Sequence, residues 1–163
     1  MCSPRVEDGV RPRMVWYRYR REFPHGAQEC YRWLTDYQDH DPDLANRNIL
    51  QERQVESRSP ERVVMRVRND VLGRSMAGRA EVRLFPEELR YEARPLEGDG
   101  GGLLYTYRLT PLGPGRARLE VAYGHRARKL KRWLQLQLAR LAALRRIARM
   151  WDGFADAMAK DLG

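Results

Sequence analysis

The stretch from Arg128 to Leu162 constrains the fold more than any other. It contains no proline and one interior glycine, Gly153, and is dense in Leu, Ala, Arg, Gln and Met. These are good helix formers. On a wheel of 3.6 residues per turn, Leu130, Trp133, Leu134, Leu141, Leu144, Ile147, Ala148, Trp151, Phe154, Ala155 and Met158 share one broad face. Arg128, Lys131, Arg132, Arg145, Arg146, Arg149 and Lys160 fall mainly on the other. One continuous helix of this length runs on the order of 50 Å. So long an apolar face needs a large partner surface, and what precedes it reads as strands.

Residues 1–13 hold Pro4, Gly9 and Pro12 without periodicity and are expected to form a loose arm, leaving residues 14–163 as one domain. Met14 to Phe23 interleaves Trp16, Tyr17 and Tyr19 with arginines and reads as a first strand, broken at Pro24-His25-Gly26. A short helix follows over Ala27 to Leu34, then a polar connection to Asn48 with one helical turn expected after Pro42. Six runs of alternating apolar and charged residues come next: Ile49 to Ser57, Arg62 to Asp70, Arg74 to Phe85, Leu89 to Arg94, Leu103 to Thr110 and Arg118 to Tyr123. Gly73, Pro86, Gly98 to Gly102 and Pro111 to Gly115 part them. Period-two alternation gives each strand one apolar and one solvated face, as antiparallel sheets permit. The expected architecture is α+β: a curved, seven-stranded antiparallel sheet wrapped around a long C-terminal helix, with two short helices after the first strand.

Charge narrows the function classes. The net charge is +9, yet the segment Arg126 to Arg149 alone carries nine basic residues and no acidic one. The rest of the chain balances at 22 basic and 22 acidic residues. A concentrated patch attracts anionic surfaces, whereas a diffuse excess mainly aids solubility. Arg128, Lys131, Arg132, Arg145, Arg146 and Arg149 are therefore candidates for docking on a membrane surface, an acidic protein or ribosomal RNA; the plainer reading is the solvated back of an amphipathic helix. Aromatic interleaving is thin here and no nucleic-acid motif is present, so sequence-specific nucleic-acid binding is not expected. No run is apolar enough to span a membrane. The opening residues contain no segment suited to a secretory signal, and two cysteines, Cys2 and Cys30, point to a reducing, cytoplasmic setting.

The order of elements, with Phe23-Pro24 followed by Tyr31-Arg32-Trp33-Leu34-Thr35-Asp36-Tyr37, resembles the helix-grip fold of the START/SRPBCC superfamily. That superfamily's opening likewise carries a strand ending at a small-residue or Pro turn and a helix with an aromatic followed by Leu-x-Asp. The resemblance implies a cavity between sheet and helix for a hydrophobic or amphipathic small molecule such as a lipid, a quinone or a polyketide. Because the superfamily includes carriers, hormone binders and aromatase/cyclases, binding or transport and polyketide-type cyclisation or dehydration both stay open.

Several residues suit such a cavity. Tyr17, Tyr19, Tyr91, Tyr105, Tyr107 and Tyr123 share strand parity with the apolar residues and are expected to face the helix. A buried phenol needs a hydrogen-bond partner, so these residues either give the cavity polar points or reach its rim. Trp151 lies on the helix face opposite them. Gln137 and Arg140 interrupt that face, and positions three apart share a side of a helix. Arg140 either anchors an anionic ligand group or snorkels outward from the helix edge. Asp36, Asp39, His40, Asp41 and Asp43 cluster after the first helix, but their spacing is neither a calcium loop nor a zinc pattern, and helix capping suits them better. No metal or cofactor is expected. His25, His40 and His125 are scattered, with no serine or cysteine nucleophile beside them, which disfavours nucleophilic hydrolysis.

Overall fold

A computed structural model of the chain describes residues 13–37, 50–71, 74–97, 103–127 and 129–163. Residues 1–12 of the expected N-terminal arm, the helical turn after Pro42, the Gly73 and Gly98 to Gly102 turns, and Arg128 lie outside the described residues, whereas Arg13, expected in the arm, opens the first strand. Strands are β1 (Arg13–Phe23), β2 (Leu50–Ser59), β3 (Arg62–Val71), β4 (Arg74–Phe85), β5 (Arg90–Pro95), β6 (Leu103–Gly113) and β7 (Arg116–Ala127). Helix α1 spans Ala27–Leu34, and the C-terminal segment forms α2 (Leu130–Leu138) and α3 (Arg140–Leu162). All seven strands join one antiparallel sheet in the order β1-β7-β6-β5-β4-β3-β2. Consecutive strands pair as hairpins from β2 to β7, and β1 crosses to pair with β7.

The alternation of apolar residues explains the layers. Val15, Tyr17, Met65, Val82, Tyr91, Leu109, Leu119, Val121 and Tyr123 are buried beneath the helical layer, with Ile147, Met150, Trp151, Phe154 and Met158 of α3 facing them. The opposite sheet face is a lattice of Arg–Glu pairs. At its centre the Glu81 carboxylate is almost buried and receives hydrogen bonds from Arg62 at 2.5 Å, Arg94 at 2.7 Å and Arg83 at 3.3 Å. Burial alone would push Glu81 up, but these bonds outweigh it and hold the carboxyl below its ordinary value. On the same face Trp16 covers Gly124, where a Cβ would come within 2.7 Å of the indole ring. Any larger residue there would have to displace the indole.

Three details depart from expectation. Strand β6 continues through Pro111 to Gly113, where the ladder shifts register, and the turn is made by Gly113 and Gly115 with φ of 136° and 63°. Strand β7 runs on to Ala127 rather than ending at Tyr123. The C-terminal helix is interrupted at Ala139 (φ −75°, ψ −6°). There the Tyr17 hydroxyl donates to the Leu136 carbonyl at 2.7 Å. A side chain bonding into the backbone ladder is an identifiable cause of such a break.

Candidate ligand cavity

The bend of the sheet leaves a cavity of about 190 Å³ between its apolar face and α3. Its floor is aromatic: Tyr91 and Tyr107 stack at 4.3 Å between ring centroids, and Tyr123 meets Tyr105 and Tyr107 edge-on at 5.2 and 6.1 Å. Trp151 closes over them from α3, its indole N–H donating to the Tyr123 hydroxyl at 3.2 Å. Burial pushes the phenol of Tyr105 up to about 12, and those of Tyr91, Tyr107 and Tyr123 are raised for the same first reason. All are neutral hydrogen-bonding groups at physiological pH.

One side of the cavity is built from the segment after α1. Thr35 closes that helix, its hydroxyl donating to the Tyr31 carbonyl at 2.8 Å. Arg58 of β2 then donates to the Thr35 and Asp36 carbonyls at 2.6 and 2.7 Å. So held, Tyr37 takes a left-handed backbone (φ 53°), which is uncommon for a bulky residue and costs about 1–2 kcal/mol. Its ring is buried, lines the cavity and lies 4.9 Å below the Arg53 guanidinium. Its hydroxyl is buried and has no hydrogen-bond partner among the described residues. Burial raises this phenol too, against the opposing pull of Arg53.

The far side is polar in another way. Arg146 of α3 pairs with Asp70 of β3 at 3.2 Å, and both line the cavity. His125 lies at the β7 end, its ring 4.8 Å from that of Tyr17. Burial, reinforced by Arg132, depresses the imidazole to about 4, so it is neutral at pH 7.

Of the residues singled out from the sequence, Tyr17, Tyr91, Tyr105, Tyr107, Tyr123 and Trp151 all line the cavity. Tyr19 does not: it packs against the core two residues further along β1, where Arg21 pairs with Asp152 and draws α3 down onto the strand. Gln137 and Arg140 are exposed and stand outside the lining, which corrects the expectation of a polar anchor there. Along α2 only Leu136 is buried, so this segment offers the cavity no second inward position. Arg146, assigned to the docking face, instead reaches in toward Asp70. Lys131, Arg132, Arg145 and Arg149 are exposed. Asp39, His40, Asp41 and Asp43 lie outside the described residues. Tyr37, Arg53, Asp70 and His125 were not singled out as lining residues. His125 had a signal, sharing the parity of Val121 and Tyr123.

No protein-family model matches the chain, and no curated protein matches it in sequence. Solved structures do resemble it. The protein TTHA0849 from Thermus thermophilus superposes with a TM-score of 0.74 at 16% identity, over 91% of this chain and 100% of that one. The ZhuI aromatase/cyclase from Streptomyces sp. R1128 gives 0.73 at 15%, over 93% and 97%. A START superfamily protein from Mycobacterium smegmatis gives 0.68 at 18%, over 89% and 98%. Identities this low speak to architecture alone, and the architecture they share with this chain is the helix-grip fold, a seven-stranded antiparallel sheet around a long C-terminal helix.

Proposed function

We propose that the chain binds a compact hydrophobic molecule carrying at least one hydrogen-bonding oxygen. The observation that supports this best is the Tyr37 hydroxyl, buried in the cavity wall without a partner among the described residues. Leaving a buried hydroxyl unbonded costs about 1–3 kcal/mol, so such a group points to a missing acceptor or donor. Tyr37 and the nearby Arg53 define the polar end, and the stacked tyrosines define the apolar body. Size narrows the class. A cavity of about 190 Å³ is somewhat larger than the roughly 150 Å³ void that holds benzene and smaller than the roughly 300–1,000 Å³ of drug-sized sites. A molecule of one or two rings suits it better than a long acyl chain. Native mass spectrometry of the purified chain, followed by organic extraction, tests the reading. A co-purifying phenol, quinone or aromatic acid is expected. Failure to retain any such compound from a panel offered at micromolar concentration would sink it.

A second reading, ring closure or dehydration of a poly-β-keto chain, draws on His125. The fold places this neutral imidazole in the same cavity as the Arg53 guanidinium and the Tyr37 phenol. In that reading the latter two hydrogen-bond substrate carbonyls while His125 accepts a proton. Turnover of a poly-β-keto thioester, abolished in His125→Gln, is the expected result. Absence of turnover by the unaltered chain would leave binding alone.

A further inference from the structure

Helix α2 and the start of α3 present an apolar stripe that no other described element covers. Leu130, Leu134 and Leu138 recur every four residues along α2, and Leu141 follows just beyond the break. They are 59, 48, 85 and 72% exposed. Single exposed leucines are ordinary on a protein surface, but a row of four is a patch that invites a cover. Around it the charge has one sign: Lys129, Lys131, Arg132, Arg140 and Arg145 are exposed, and no acidic residue occurs from Arg126 to Arg149.

That charge selects among covers. A second copy of the chain would set basic face against basic face and is opposed by repulsion. A bilayer with anionic headgroups satisfies both features together, taking leucines into its hydrocarbon boundary and basic side chains among its phosphates. The stripe also leads to the cavity. Arg146, on its lining, is five residues past Leu141, about 8 Å along the helix axis. We propose that α2 and the first turn of α3 form a docking face that lays the chain on an anionic lipid bilayer, beside the Asp70–Arg146 side of the cavity. This goes beyond the ligand-binding reading and does not depend on it.

Flotation of the full chain with vesicles of phosphatidylcholine, alone or with phosphatidylglycerol added, tests the proposal. Binding is expected to the anionic vesicles, to weaken with salt, and to be slight with phosphatidylcholine alone. Leu138→Ser/Leu141→Ser, at the two most exposed positions, should lower binding about tenfold while leaving the thermal midpoint in place. Lys131→Glu/Arg132→Glu should lower it as much, and Lys160→Glu, at the far end of α3, should not. The proposal is overturned if the chain fails to float at low salt, or if the leucine variant floats like the parent. It is also overturned if sedimentation shows a dimer that the leucine variant dissolves.

Discussion

The Tyr17 hydroxyl and the Leu136 carbonyl meet at 2.7 Å across 119 residues of chain, joining the edge strand to the C-terminal helix where that helix breaks. The bond satisfies a helix carbonyl in a buried setting and fixes how α2 leaves the sheet. Burial raises the phenol, with Arg132 and Arg140 pulling the other way, so the group stays a neutral donor.

Replacing that donor, Tyr17→Phe, is expected to cost about 1–2 kcal/mol. The lower end applies if the freed carbonyl accepts a helical N–H and the break closes. Urea denaturation gives the cost, and amide exchange at Ala139 and Arg140 reports the helix. An unchanged midpoint together with unchanged exchange would show that the bond contributes nothing.

Tyr37→Phe should split stability from binding. Deleting a buried hydroxyl that has no partner should leave the fold as stable or raise stability by about 1 kcal/mol. Affinity for the co-purifying molecule should fall about tenfold, the worth of one hydrogen bond. Loss of stability with affinity intact would instead place the partner of Tyr37 within the protein.

Acid should act in two steps. The His125 value near 4 lies below its ordinary 6.5, so between those limits the unfolded chain holds a proton that the folded chain lacks. Stability therefore falls as pH drops from about 6.5 toward 4, by on the order of 3 kcal/mol at full extent. Denaturation midpoints at several pH values should show this slope, and His125→Gln should flatten it. A parallel slope in that variant would assign the effect elsewhere.

Glu81 should supply the lower step. Its carboxyl is held below the ordinary 4.5, so its contribution is intact above that value and is lost as pH falls through the folded value. Glu81→Gln should remove this step and cost about 1–3 kcal/mol at pH 7, because the three arginines around it remain half-exposed and are partly screened by water. Equal stability of variant and parent at pH 7 would show that solvent alone satisfies those arginines.

Strand parity carried most of the cavity floor, since Tyr91, Tyr105, Tyr107 and Tyr123 sit in regular ladders where period two holds. Arg53 shares the parity of Val55 and pairs with Val67, so the strand pattern turns it inward and only its charge argues for solvent. Tyr37 follows a helix in a left-handed conformation, which has no periodic signature at all. On the helix, the wheel assumed a single straight rod. On either side of the interruption at Ala139, Leu130, Leu134 and Leu141 lie in solvent along with Gln137 and Arg140. The bond from Tyr17 that meets the helix at this point spans 119 residues and has no local signature.

The strand order carries a consequence for how the molecule assembles. From β2 to β7 every partner is the next strand in the chain, so each pairing closes a short loop at modest entropic cost. The exception is β1, whose partners run from Arg13 with Ala127 to Phe23 with Ala117. That closure spans most of the chain and becomes favourable only once β7 is in place to receive it. Nucleation should therefore lie in the meander, with β1 docking late. Because Tyr17 rides on β1, the bond to Leu136 that shapes the C-terminal helix would be among the last contacts made.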